Sequence, residues 1–376
     1  MNKKEVISNK QAIALIALFI IGEASIYIQG IVAGKDIWIA MLLAVMAAIP
    51  FFIMFARLHA LFPNKNIFDI MEICFGKIVG KIFIVIFIWY AFHSLALLFE
   101  DIGFFIRTVM IMETPCIVTT SVFAVISAYI TKQGIEVFGR WAEIFLIVPI
   151  VLEIIILLLL IPKLDPGNLL PVAYEGVKPI LEGAFLSFGF PFMYVIGFTM
   201  IFSFSAEKNS PYKIYLTGLF VGAVLLIIIY IIVILVLGDD LAEGFYYPSY
   251  VMVSRISIGN FLQRFDIIAA VIYLIGIYVQ GNVFLLATCN GVAKLFNCDD
   301  YRFIVLPIAF LAVNLSILEM ESIMAFFDFA INVWPYYVIP FEIIIPVITW
   351  IAAEIKSKKI GKNPSRNSKG LVEQAK

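Results

Sequence analysis

The chain is a succession of about ten long apolar runs separated by short polar connections. An apolar run of about 20 residues crosses a bilayer as a helix. A Lys, Asp or Arg at its centre costs about 2.5–3.5 kcal/mol on insertion scales. Most of the 26 Lys and Arg and the 27 Asp and Glu lie in the connections, and 63% of all residues are hydrophobic. Lipid is therefore the solvent for most of this chain. In lipid the backbone must satisfy its own hydrogen bonds, so the runs are helices. A β-barrel would alternate apolar and polar residues over strands of about ten residues. Runs such as 221–238 do not alternate. The fold class is an all-α polytopic membrane protein with no soluble module large enough to fold alone.

The runs predict spans at about 11–31, 37–57, 81–107, 115–131, 140–161, 181–205, 212–237, 266–291, 301–318 and 331–353. The third is the longest and is expected to tilt. Glu319, Glu321 and Asp328 crowd the connection between the last two and read as a turn. Met1, Asn2, Lys3 and Lys4 ahead of an apolar run imitate a signal peptide, but no A-x-A site follows, so a retained signal anchor is expected. With the N-terminus in the cytoplasm, all but six of the 26 Lys and Arg fall on the cytoplasmic side; the six are Lys35, Arg107, Lys163, Lys178, Arg255 and Arg264. The C-terminus then lies in the cytoplasm too. The chain divides into a transmembrane domain, 1–355, and a basic tail, 356–376, which reads as a solvated end. Within the outer connection 239–264, Tyr246, Tyr247 and Pro248 precede an apolar stretch that could form an interfacial helix.

Ten spans split into five and five, about 11–161 and 181–353. Five is odd, so if the halves are structural repeats the second runs inverted. Secondary transporters commonly have this arrangement, with substrate near the mid-membrane where the first helix of each half is broken. Span 1 carries Gly22, Glu23, Ala24 and Ser25, and span 6 carries Ser187, Phe188, Gly189, Phe190 and Pro191. Gly and Pro interrupt helices. Each break is open to two readings, a packing notch or a ligand site, and their matching positions favour the ligand site. Glu23 at membrane depth reads as a counter-ion for an ammonium group, as a proton site, or as a hydrated group near the outer surface.

Span 3 presents His93, Leu97, Glu100, Phe104 and Arg107 on one helical stripe, with Asp101 beside it. The stripe reads as a hydrated polar track or as a structural neutralisation of Arg107. In span 8, Gln280, Asn282 and Thr288 could line a cavity or pin helices together. Glu153 and Glu342 are isolated acids in spans 5 and 10. The candidate ligand residues are Gly22, Glu23, Ala24, Ser25, Leu97, Gly189, Phe190, Pro191, Met193, Tyr194, Gln280 and Thr288. The candidate polar track is His93, Glu100, Asp101 and Arg107.

Chemistry motifs are missing from the sequence. There is no P-loop, G-x-S-x-G or HExxH, and only two histidines, His59 and His93. The four cysteines, Cys74, Cys116, Cys289 and Cys298, lack metal or disulfide spacing. Neither a cofactor, a metal nor a nucleic-acid partner is expected, and the chain does not read as an enzyme.

Several short stretches resemble the B subunits of spore germination receptors, within the amino acid–polyamine–cation transporter superfamily. They are Met112-Glu113-Thr114-Pro115; Gly134-Ile135-Glu136-Val137-Phe138-Gly139-Arg140-Trp141-Ala142-Glu143; Asn168-Leu169-Leu170-Pro171; Phe190-Pro191-Phe192; and Arg255-Ile256-Ser257-Ile258-Gly259 with Phe261-Leu262-Gln263-Arg264-Phe265-Asp266. The resemblance covers about 8–355. It implies a ten-helix inverted-repeat fold of the LeuT kind with helices 1 and 6 broken. It also implies a germinant-sensing subunit in the spore inner membrane, acting with an A-type membrane subunit and a C-type lipoprotein. The ligand class it implies is a small nutrient, usually an amino acid; a proton-coupled amino acid permease is the alternative. The family's span-6 break continues Pro-Phe-Gly-Glu, whereas this chain reads Pro191-Phe192-Met193-Tyr194, without the acid. Span 1 instead has Glu23 where small or apolar residues are usual. Glu23 is expected to supply the missing carboxylate across the same pocket.

Overall fold

The computed structural model describes residues 7–204, 210–256 and 265–362, the last four as backbone only. The Lys-bearing lead Met1 to Lys4, the motif residues Ser257 to Gly259 and Phe261 to Arg264, and the tail beyond 362 lie outside the described residues. All regular elements among the described residues are helices.

Helix α1, Asn9–Ile21, starts at Ser8, which makes a capping box with Gln11, and stops at Gly22. A short 3-10 turn, Glu23–Ser25, and irregular backbone lead to α2, Ile37–Leu61. Helix α3, Ile67–Phe105, is broken near its start at Gly76, whose φ of 79° is left-handed. The piece before Gly76 is held to the far end of the bundle by Lys294, which pairs with Asp69 at 2.8 Å and Glu72 at 2.9 Å. The piece after it matches the span expected from about 81. Helix α4 is Cys116–Gln133; α5, Ile135–Phe145, and α6, Ile147–Leu160, form one kinked span.

The second half opens with α7, Val177–Ser187, which gives way to irregular turns at 188–196 and then to α8, Gly197–Ile201. Helix α9 is Pro211–Leu237. The next connection holds two short helices, α10, Asp239–Glu243, and α11, Pro248–Ser254. Helix α12 is Asp266–Phe296 and α13 is Val305–Glu319. After only three residues comes α14, Ile323–Asn332, bent 97° from α13. The expected turn at 319–328 is thus largely helical. Ser322 makes this possible, its hydroxyl accepting from the Ala325 N–H at 3.2 Å as an N-cap. Helix α15, Trp334–Tyr337, then leads through a wide turn at 340–344 into α16, Ile345–Lys362.

Eight helical segments among the described residues are long and apolar enough to cross a membrane; α1 and α13 are the shorter apolar helices at the other two expected positions. Side-chain exposure follows lipid logic. On α6, Ile147, Val151, Ile154 and Leu158 are exposed, while Glu153 and Ile156 are buried. Helix α1 is the most enclosed, with Leu15 to Ile21 wholly buried. It fits against α9 because Gly218 and Gly222 leave room for Ile16 and Ile20; a Cβ on either glycine would lie 2.6–2.7 Å from those side chains.

Candidate ligand site between two broken helices

Both expected interruptions are present. At the first, α1 loses its helical geometry at Gly22, with φ 6° and ψ −128°. At the second, Phe190 is extended, with φ −124° and ψ 124°, and a cis peptide joins it to Pro191. The two segments meet. Glycines at 30 and 183 bring them together, since a Cβ on either would lie 2.9 Å from the carbonyl oxygen of the other. The rings of Phe19 and Tyr194 sit 5.4 Å apart, and those of Tyr27 and Phe190 6.5 Å apart.

Between them is a small cavity. Glu23, Tyr27 and Gln29 line it from the first break, Phe190 and Tyr194 from the second, and Leu97 and Leu98 from α3. Phe326, Phe329 and Ala330 of α14 and Trp334 of α15 complete the wall. Glu23 is the one charged side chain in this lining. The Tyr27 ring packs edge-on against Phe327 at 4.9 Å, yet its buried hydroxyl has no hydrogen-bond partner among the described residues. An unsatisfied buried hydroxyl is costly, and a ligand would relieve it. Gln29 is already engaged, its Nε2 donating to the Ala330 carbonyl at 2.8 Å and tying the first break to α14.

Four of the twelve expected ligand residues therefore line the cavity: Glu23, Leu97, Phe190 and Tyr194. The others have different roles. Gln280 clamps the first break, its Nε2 donating to the Phe19 carbonyl at 2.9 Å and its Oε1 accepting from the Glu23 N–H at 3.1 Å. Gly22 is a glycine because a Cβ there would lie 2.3 Å from the Gln280 amide. The Ala24 carbonyl accepts from the Tyr230 hydroxyl at 3.0 Å, and the Ser25 hydroxyl donates to the Gly22 carbonyl at 2.8 Å. Thr288 bonds its own helix at the Phe284 carbonyl, 2.8 Å away. Pro191 and Met193 are buried outside the cavity lining, and Gly189 forms the open side of the second break. Main chain at the first break is thus largely satisfied from within.

The residues of the stripe on α3 meet different partners along its length. His93 contacts Glu319 through Nε2 and the Tyr337 hydroxyl through Nδ1, the latter at 2.9 Å. Asp101 faces the other way and accepts from the hydroxyls of Tyr247 at 3.0 Å and Tyr273 at 2.5 Å. Glu100 and Arg107 line a separate vestibule with Glu113 and Glu321. Arg107 is exposed, and among the described residues no ion pair joins it to Glu100 or Asp101.

The sequence matches the spore germination protein family over residues 6–323. The chain belongs to that family. Spore germination protein KB of Bacillus subtilis (strain 168) is 27% identical over 371 residues, covering 98% of this chain and 100% of the relative. Spore germination protein XB of Bacillus anthracis is 23% identical over 278 residues, covering 70% and 76%. Among solved structures, the nucleobase-cation-symport-1 family transporter MHP1, in a closed conformation with bromovinylhydantoin bound, superposes with a TM-score of 0.69 at 14% identity, covering 92% of this chain and 78% of that one. A manganese transporter of Eremococcus coleocola gives 0.55 at 11% identity, covering 93% and 84%. At these identities the likeness is one of fold. This member of the spore germination family is therefore a germinant-receptor membrane subunit built on the inverted-repeat transporter scaffold with helices 1 and 6 broken.

Proposed function

We propose that this subunit senses a small amino acid held in the cavity between the two broken helices. The observation that carries the proposal is the single carboxylate, Glu23, in a chamber lined mostly by aromatic and aliphatic side chains, together with the unpartnered Tyr27 hydroxyl. A zwitterion entering a dry pocket must replace its lost hydration. Glu23 would take the ammonium group and Tyr27 would donate to the carboxylate. Leu97, Phe190, Tyr194 and Trp334 would receive the side chain and set its size. Tyr194, at the place of the acid in the family's span-6 break, lines the same chamber as Glu23, which supports the transfer of the carboxylate from one break to the other.

The protein would act by binding and relay rather than by catalysis. Ligand binding would bias a two-state packing of the broken helices, read by an A-type membrane subunit and a C-type lipoprotein in the spore inner membrane, with both termini in the cytoplasm. The transporter fold favours one other reading, a proton-coupled amino acid permease. Binding to the pure subunit in nanodiscs, flux of labelled amino acid into liposomes, and germination of a complemented deletion strain separate the two. The receptor reading expects ligand binding and ligand-dependent germination without flux. It also expects Glu23→Gln to lose response while accumulating normally. Wild-type response in that variant would end the assignment of Glu23.

A further inference from the structure

A second chamber lies on the opposite side of the 3-10 turn Glu23–Ser25. Its wall is aliphatic, from Ile156 of α6, Ile229 and Ile232 of α9, Met252 and Val253 of α11, and Ile272 of α12. Three oxygen-bearing side chains interrupt that wall: Glu153, Ser249 and Ser25. Glu153 is 7% exposed, and neither carboxylate oxygen has a hydrogen-bond partner among the described residues. Ser249 is 3% exposed, and its hydroxyl also lacks a partner. The Ser25 hydroxyl donates to the Gly22 carbonyl, which leaves its oxygen free to accept.

An isolated buried carboxylate is strongly unfavourable, so a group of this kind needs a positive partner or a proton. A bare metal ion is poorly matched to the site. Calcium and magnesium ions take about six or more oxygens, whereas the side chains of this lining offer one carboxylate and two hydroxyls against carbon. A group with one cationic, hydrogen-donating end and an apolar body matches both parts of the wall.

We propose that the chamber around Glu153 is a second ligand site that takes a small protonated alkylamine. The ammonium end pairs with Glu153 and the Ser25 and Ser249 hydroxyls, and the alkyl end lies on the isoleucines and Met252. The site shares the Glu23–Ser25 turn with the amino acid chamber, so occupancy of one changes affinity for the other, and by the same factor in both directions. Only this coupling rests on the amino acid reading; amine binding itself does not.

The test uses the full chain in nanodiscs, with n-butylammonium chloride as probe and thermal unfolding as readout, against sodium and potassium chloride at the same concentration. Saturable stabilisation by the amine alone is expected. Glu153→Gln should weaken it at least tenfold and Ser249→Ala several-fold, while Glu23→Gln leaves it intact. Equal stabilisation by the salts, an unchanged amine response in Glu153→Gln, or no response in the wild type would overturn the site. Should Glu153→Gln fail to accumulate, an unchanged response in Ser249→Ala overturns it equally. Loss of amino acid binding in Glu23→Gln with amine binding retained shows that the two sites are separate. If the amine site stands but no amino acid binds, the first reading fails alone.

Discussion

Gln280, in the middle of α12, receives the backbone N–H of Glu23 at 3.1 Å across the bundle. With its donor on the Phe19 carbonyl, one amide side chain closes both sides of the interruption that ends α1. Replacing it by alanine leaves a buried donor and a buried acceptor unmet, each worth about 1–3 kcal/mol. Gln280→Ala is therefore expected to lower the unfolding temperature in nanodiscs.

The close approach behind this clamp predicts an order of severity. A Cβ at Gly276 would lie 2.5 Å from the Gly22 Cα, which is backbone and cannot swing away. At Gly22 the Cβ would meet the end of the Gln280 side chain. Gly276→Ala should reduce accumulation in membranes more than Gly22→Ala, by immunoblot of matched cultures.

Tyr27 offers a test in which stability and binding part company. Its hydroxyl has no partner among the described residues, while its ring packs on Phe327. Tyr27→Phe should leave unfolding unchanged or slightly improved. Amino acid affinity should fall about tenfold or more, as for a lost hydrogen bond to a charged group of about 1.5–3 kcal/mol. Titration calorimetry on both proteins decides it.

Leu97 faces the ligand chamber from α3. Leu97→Ala should enlarge the room for a side chain and shift preference toward larger amino acids. One methylene of fit is worth about 10–200-fold, and this change removes three carbons, so a shift of at least about tenfold is expected. A germination screen across amino acids reads the shift, and an unaltered preference order would place the side chain elsewhere.

Asp101 binds two tyrosines, Tyr247 from the connection before α11 and Tyr273 from α12. Asp101→Asn keeps one acceptor oxygen and substitutes a donor for the other. One hydroxyl loses its acceptor, at a cost of about 1–3 kcal/mol. Proteolysis between α10 and α12 should accelerate in this variant, because the asparagine cannot accept from both Tyr247 and Tyr273 and the link that joins the connection to α12 through this side chain is lost.

The spans were legible because lipid enforces long apolar runs, and the breaks because Gly, Glu and Ser stand out within them. Glu23, Phe190 and Tyr194 reached the chamber for that reason. The aromatic wall from Phe326, Phe329 and Trp334 was not legible, since an aromatic facing a chamber and one facing lipid look alike in sequence. Glu319, Glu321 and Asp328 concealed α14 further, as a cluster of acids reads as a turn. Of the two roles open to Gln280, lining a cavity or pinning helices together, it takes the second. Its partners are main-chain atoms about 260 positions away, and no local pattern encodes them.

Helix α14 leaves α13 at nearly a right angle and contributes Phe326, Phe329 and Ala330 to the chamber. At its base Glu319 holds His93, and at its far end the Ala330 carbonyl holds Gln29. A door fastened at both hinge and latch cannot swing without unfastening one of them. On the proposed reading, a guest that enters past α14 has to part at least one of these two links.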